Sequence, residues 1–592
     1  MAASQNLKYL GGENQLQMKS STQSALTFLE KWTLLGIVIG AVAGLSSVVL
    51  YFLIRAIEYF LLVRAAGIYV PIPPGEGGTL GCPPGARFSP LLPAIAGIGG
   101  LLSALIIRFS PEASGNGTDR AIESYHFRNG TFSRWSWAAK MLSSAVTIGS
   151  GGSAGREGPE AFISAGISSG IFSLLRLSPE DRRLAVAVAM GAGIGTIFKA
   201  PIAGAILSAE LLYRRDFEYE AIFPSLIASS VGFLIFGAFV GYGPIFGLYQ
   251  YSFFLSSVWL FLLLGVLTGA MAYLYVRSLR FFEGLFLRIS APRELRALVG
   301  GVLVGALGLL FPEVLSIGYG WMGYAIQGRL FCLRSPLPLY LFLVLLPFLK
   351  ILATSLTLGS GASGGEFAPG IFIGGATGLM LYSLLQLAGI RAPYFPLIVV
   401  GMASLFGAAA NAPLSVMIMA IEMTGSVELF PPAMIASSIS YIIASGVTPY
   451  PAQVPTRKDS PVHSGEYSAL LLSKIRVEEA RLMNFFIRAE EDARSAERRI
   501  RESGLLSLPV VDEQGNFLGT VSLLDLAGHS GRAGEMVVRG VPYVRPDSTL
   551  LEAWEIMSRT RSNYVPVVKR GKLIGILTMD GLVEVYKGFL RI

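Results

Sequence analysis

The sequence predicts a polytopic α-helical membrane protein, built from two inverted repeats with broken and re-entrant helices and followed by a soluble α/β domain. Three observations carry that prediction. Of 592 residues, 52% are hydrophobic and only 15% charged, whereas a soluble domain carries about a quarter charged. The stretch Thr147-Ile-Gly-Ser-Gly-Gly-Ser-Ala-Gly-Arg-Glu-Gly-Pro159 returns as Thr357-Leu-Gly-Ser-Gly-Ala-Ser-Gly-Gly-Glu-Phe-Ala-Pro369, with Thr, Gly, Ser, Gly, Ser, Gly and Pro in register. Beyond residue 475 the chain turns charged, and alternating strand patterns recur.

Residues 1–30 are polar and rich in Ser and Gln, and read as a cytoplasmic tail. A long tilted helix follows from Trp32 to about Arg64. The loop 65–90 is rich in Pro and Gly and almost free of Lys, which places it outside. A span over 91–107 leads to a segment with Arg120, Arg128 and Arg134, which faces the cytoplasm. The membrane domain is expected over 31–450, its repeats over about 91–240 and 298–447. Each repeat holds a glycine-rich break and then a shared phrase, Phe198-Lys-Ala-Pro201 ahead of Glu210 and Ala410-Asn-Ala-Pro413 ahead of Glu422. Many apolar runs fall short of the ~20 residues a straight span needs, so broken and re-entrant helices are expected. A Pro-containing linker over 451–474 precedes the soluble domain, 475–592, and both termini are expected in the cytoplasm. The net charge of +8 sits mainly in loops and tail, the pattern of membrane orientation and not of nucleic-acid binding. With only Cys82 and Cys332, neither a disulfide framework nor a cysteine metal site is expected.

The breaks define the chemistry. A helix N-terminus offers unsatisfied N–H groups and partial positive charge, and so attracts anions. Glycine lets the backbone approach an ion, and proline just inside the helix has no N–H to waste. Gly155-Arg156-Glu157-Gly158-Pro159 and Gly365-Glu366-Phe367-Ala368-Pro369 both read as such helix starts. In inverted halves the two starts meet near the bilayer midplane as one anion site. Glu157 stands out, because an ionisable group at that depth costs about 3 kcal/mol and is functional by default. Its carboxylate can take the anion's place when ionised and swing aside when protonated; the competing reading is a structural ion pair with Arg156 or a remote Lys. Ser153 and Ser363 each sit in a G-x-S-x-G pattern. A hydrolase needs one nucleophile and a base, whereas this motif is duplicated and only His126, His463 and His529 exist. No enzyme activity and no required cofactor or metal is therefore expected. A cation pathway would want acidic rings, which the Gly/Ser-rich breaks do not supply.

On these motifs the chain resembles the CLC family of chloride channels and anion/proton exchangers, over about residues 30–455. The resemblance implies a homodimer with one pore per subunit, Glu157 as the gate, and an anion held by the Phe367 backbone amide and by Tyr450. Two departures bear on mechanism. Gly115-Asn-Gly-Thr-Asp119 stands where many members read Gly-Ser-Gly-Ile-Pro, so Asn116 replaces the central-site serine and leaves chloride, nitrate or another anion open. Glu210 aligns with the first of two glutamates that exchangers carry, and Leu211 replaces the second, which relays protons. That favours pH-sensitive, largely uncoupled conduction, with proton-coupled exchange through Glu210 or Glu366 as the alternative.

In the tail, Leu508-Pro-Val-Val511 with Phe517–Asp525 recurs as Val565-Pro-Val-Val568 with Leu573–Asp580, a unit of about 55 residues. The two units, about 475–530 and 536–592, resemble a CBS domain pair. Ser522 with Asp525, and Thr578 with Asp580, are the candidate contacts to an adenine nucleotide; a purely dimerising role stays open.

Overall fold

The computed structural model describes residues 2–78, 81–82, 89–463 and 471–590, with side chains between residues 28 and 586. Two compact units form, Met1–Ser460 and Pro461–Ile592.

In the first unit α1 (Ala2–Glu58) continues through a π-helical turn, Tyr59–Ala65. The segment read as a polar tail is thus helical and continuous with the apolar span Phe28–Ala65. Seven helices follow: α2 (Leu92–Phe109), α3 (Thr118–Phe127), α4 (Ser136–Gly149), α5 (Glu157–Leu174), α6 (Pro179–Ile197), α7 (Pro201–Glu210) and α8 (Ile222–Val240). After α9 (Val258–Leu287) the series returns as α10 (Arg293–Leu310), α11 (Tyr319–Ile326), α12 (Leu339–Gly359), α13 (Phe367–Leu387), α14 (Tyr394–Ala410), α15 (Pro413–Glu422) and α16 (Phe430–Ile443).

The correspondence reaches individual torsions. Gly151 and Gly361 take φ of 102° and 106°, and Lys199 and Asn411, each just before Ala-Pro, take 54° and 55°. Helices α3, α7 and α15 have 10 residues and α11 has 8. At 1.5 Å per residue they cover about half of a bilayer core, so they cannot span it. Among the described residues six helices are long and apolar enough to cross, α2, α12 and α13 among them. Lipid supplies no hydrophobic drive between helices, so small residues set close approach. Where α2 packs on α10, a Cβ on Gly100 would lie 2.3 Å from the Ala297 carbonyl oxygen, and one on Gly301 2.2 Å from that of Ala96.

One expectation is overturned. Cys82 and Cys332 are disulfide-bonded, their Cα atoms 5.2 Å apart. The count of two cysteines, 250 residues apart, concealed the pairing, because only the fold brings the loops after α1 and α11 together.

The second unit holds β1 (Ile487–Arg488), β2 (Ser507–Val511) and β3 (Phe517–Ser522) in one sheet, and β4 (Tyr564–Lys569) with β5 (Lys572–Thr578) in another. Both hairpins are antiparallel, and each shifts register at the same point of its repeat, Val510/Val511 and Val567/Val568.

Candidate functional site

The two breaks meet back to back. Gly155 N–H donates to Gly365 O and Gly365 N–H to Gly155 O, both at 2.8 Å. This two-bond bridge fixes the start of α5 against the start of α13, so the unsatisfied N–H groups of both helices converge. Gly158 packs against the Asn116 turn so closely that a Cβ would lie 2.5 Å from Asn116 O. Buried Lys140 holds that turn, its Nζ donating to Gly115 O (2.5 Å) and Ser363 Oγ (3.0 Å). Its repeat counterpart Lys350 donates to Val314 O and Ser316 O (both 2.9 Å), in the turn before α11.

Glu157 lies fully buried between these elements. Its Oε1 accepts from Tyr319 Oη (3.1 Å) and stands 3.9 Å from Arg156 Nε, while Oε2 has no hydrogen-bond partner. A Cβ on Gly155 would come 2.5 Å from Oε2, so this glycine leaves the carboxylate its space. Arg156 itself pairs with Glu76 and lies over the Tyr51 ring at 5.2 Å. Glu157 thus has Arg156 beside it, as the ion-pair reading requires, but shares that arginine with Glu76 and also bonds Tyr319. Sequence reasoning missed Tyr319 and Glu76. The turn Ser316–Tyr319 matches Gly115–Thr118 in its positive φ values, a correspondence the sequence carries only as the shared glycines Gly117 and Gly318; nothing in the sequence marked Glu76.

On the opposite side of the bridge lies a cavity of about 440 Å³, lined by Asn116, Asp119, Glu283, Arg293, Glu366 and Pro449 among others. Asn116 is oriented by its bonds: Oδ1 accepts from Asp119 N–H (2.9 Å), and Nδ2 donates to Glu366 Oε2 (3.2 Å) and Pro449 O (3.5 Å). Tyr450 is buried next to Pro449, its N–H donating to Thr448 Oγ1 (3.0 Å). Phe367 is buried against Phe406 (ring centroids 4.1 Å) and Phe198 (5.4 Å). The structure thus brings Asn116 together with Glu366 and Gly158, with Phe367 and Tyr450 next in sequence to cavity-lining Glu366 and Pro449, and Pro159 and Pro369 inside the first turns of α5 and α13.

The family model described as voltage gated chloride channel matches residues 98–445, well over half of the chain. The chain belongs to the CLC family. A protein of Methanocaldococcus jannaschii is 32% identical over 415 residues, 69% of this chain and 92% of its own length. A protein of Yersinia pestis named H(+)/Cl(-) exchange transporter is 30% identical over 359 residues, 57% of this chain and 71% of its own. Among solved structures, a slow cyanobacterial Cl-/H+ antiporter gives a TM-score of 0.59 at 22% identity, covering 74% of this chain and 98% of its own. A eukaryotic CLC transporter gives 0.57 at 18%, covering 94% and 98%. CBS domains match residues 480–531 and 533–588. The protein is a multi-pass membrane protein of a family of anion transporters, with a C-terminal CBS pair.

Within this CLC frame Glu210 is engaged elsewhere. Its carboxylate accepts from Leu414 N–H (3.1 Å), Ser415 N–H (2.7 Å) and Ser415 Oγ (2.5 Å), capping α15. Glu422 answers in kind, accepting from Ile202 N–H (3.2 Å) and Ala203 N–H (2.8 Å) at the start of α7. Each half caps the other's short helix, and neither glutamate lines the 440 Å³ cavity. Leu211 is fully buried, its carbonyl accepting from Gln453 Nε2 (2.9 Å). In the CBS pair, Ser522 and Asp525 form a reciprocal helix cap, Ser522 Oγ donating to Asp525 Oδ2 at 2.7 Å, and Thr578 Oγ1 accepts from Gly581 N–H (3.2 Å).

Proposed function

We propose that this chain moves chloride, or a small anion of similar size, between the starts of α5 and α13, with Glu157 as the gate and little coupling to protons. The Gly155–Gly365 bridge carries the reading. It aims two helix N-termini at one point, and it leaves Glu157 as the carboxylate beside them on one side and a 440 Å³ vestibule on the other. An ionised Glu157 competes with the anion for the same N–H groups; protonation removes the competitor. Passive flow is favoured because Leu211 carries no proton and both oxygens of Glu210 are spent on a helix cap.

A second reading is proton-coupled exchange, favoured by Glu366, a buried-side carboxylate lining the vestibule and bonded to Asn116. The reversal potential of protein reconstituted in vesicles separates the two. At fixed chloride, a pH gradient leaves it unmoved for passive flow and shifts it for exchange. The same vesicles, loaded with chloride, nitrate or fluoride, give the preferred anion.

The oligomer we propose is a homodimer with one pore per subunit. We propose that both termini face the cytoplasm; the disulfide between the loops after α1 and α11 supports an oxidising compartment on their side. For the CBS pair we propose an adenine nucleotide at Ser522, Asp525, Thr578 and Asp580, tested by titrating the full-length protein with ATP, ADP and AMP.

A further inference from the structure

The face of Glu157 away from the vestibule is covered by a segment belonging to neither repeat. After α1 the chain turns through a short 3-10 helix, Pro74–Glu76, and reaches Cys82, which is bonded to Cys332. Several contacts seat it. Gly75 N–H donates to Ile245 O (2.9 Å), Lys199 Nζ donates to Gly75 O (2.5 Å), and Tyr324 Oη donates to Gly81 O (2.7 Å). Gly320 approaches so closely that a Cβ there would lie 1.9 Å from Pro71 O. Thus seated, Glu76 reaches inward with its side chain only 4% exposed and pairs with Arg156, itself 3% exposed. The remaining charge on that guanidinium faces Glu157: Arg156 Nε has no hydrogen-bond partner and lies 3.9 Å from Glu157 Oε1.

We propose that Glu76 is a positioning residue for the gate: by occupying Arg156 it limits the arginine's hold on Glu157 and so sets the acidity at which the pore opens. This rests on Glu157 being the gate. The other groups facing the pair are Tyr51, Arg55 and Glu58 from α1, Lys199 from the turn before α7, and Tyr319 from α11. Arg55 and Glu58 neutralise each other in an ion pair at 2.7 Å. Lys199 is spent on the carbonyls of Gly75, Val240 and Gly243. That leaves Arg156 as the cation acting directly on Glu157, and Glu76 as its counter-charge. A guanidinium already paired presents little net field to a third group; unpaired, it favours the ionised form of a nearby carboxyl by about 1–3 pH units.

Chloride efflux from vesicles, followed against pH, tests this with the full chain. In Glu76→Gln the acid midpoint of flux is expected to fall by about one pH unit or more, because more acid is needed to neutralise a carboxylate that Arg156 now holds. Glu76→Asp, which keeps the charge, is expected to stay near the parent, and Glu76→Gln placed on Glu157→Gln is expected to do nothing to the pH profile. A midpoint that stays put or rises in Glu76→Gln overturns the proposal. A parent whose flux ignores pH overturns the gate reading as well, and a parent response abolished by Glu157→Gln with Glu76→Gln unshifted overturns the Glu76 role alone. If Glu76→Gln does not fold, the pair is read from its other partner: Arg156→Gln removes the cation, leaves Glu76 unpaired and is expected to raise the midpoint, and an unmoved or lowered midpoint overturns the proposal.

Discussion

The first and second breaks share a backbone and differ in chemistry. Both turn at a glycine with φ just above 100°, both present a helix start two residues past the bridging glycine, and both carry proline in the first turn. At the first helical position one has Glu157 and the other Phe367; just before it, one has Arg156 and the other Glu366. Because the halves are inverted, equivalent side chains point to opposite sides. Arg156 reaches Glu76 on one side, and Glu366 reaches Asn116 on the other. The backbone therefore makes a site for a negative ion, while the side chains decide what competes for it from each side.

The largest effect expected from breaking this asymmetry is at Glu157. Glu157→Gln removes the charge that competes with the anion and leaves the packing, so flux is expected to lose its acid dependence and stay high at neutral pH. The pH profile of chloride efflux checks it, and a retained acid response would place the gate elsewhere. An ionised carboxylate competing for buried N–H donors is worth several kcal/mol at most, so a rise of about tenfold or more at neutral pH is the scale to expect.

Glu366→Gln comes next, and it sharpens the inner half of the comparison. If flow is passive, the reversal potential still ignores a pH gradient, and only the rate changes, by about threefold to tenfold, because Gln keeps an acceptor for Asn116 and loses only the charge-assisted surplus of about 1 kcal/mol. If the parent is an exchanger using Glu366, the substitution abolishes the pH-driven shift. Asn116→Ser is expected to be milder. It shortens the donor that now bridges to Glu366 and Pro449, and the ratio of nitrate to chloride flux is expected to move by a few-fold, about one neutral hydrogen bond's worth. An unchanged ratio would show that the Asn116 amide does not touch the permeating ion.

How much of this was legible in the sequence follows from what a repeat can encode. The duplicated glycines and the two Ala-Pro phrases announced the break geometry, because backbone demands recur in both halves. Glu157 was legible because it places an acid at the first helical position, where the second break has Phe367. Tyr319 was hidden because its counterpart is Thr118, a different side chain on the same turn. Glu76 and the Cys82–Cys332 bond were hidden more deeply, since the segment that brings them to the site has no copy in the second half. Glu210 was visible through its alignment with the first of the two glutamates exchangers carry, whereas its contacts to α15, which make it a cap, were not.

That cap gives the smallest predicted effect and the cleanest symmetry test. Glu210 and Glu422 each accept from two backbone N–H groups at the other half's short helix, so each should act mainly on stability. Losing the charge-assisted part of such a cap costs about 1 kcal/mol. Glu210→Gln and Glu422→Gln are therefore expected to lower the thermal midpoint of the detergent-solubilised protein by similar small amounts and to leave reversal potentials as they were. Glu210 is the more buried and also accepts from Ser415 Oγ, so its substitution should be the costlier of the two. A Glu210→Gln protein of unchanged stability but altered proton dependence would mean that the cap is secondary. The proton route would then run through α7 after all, in one half of the molecule and not the other.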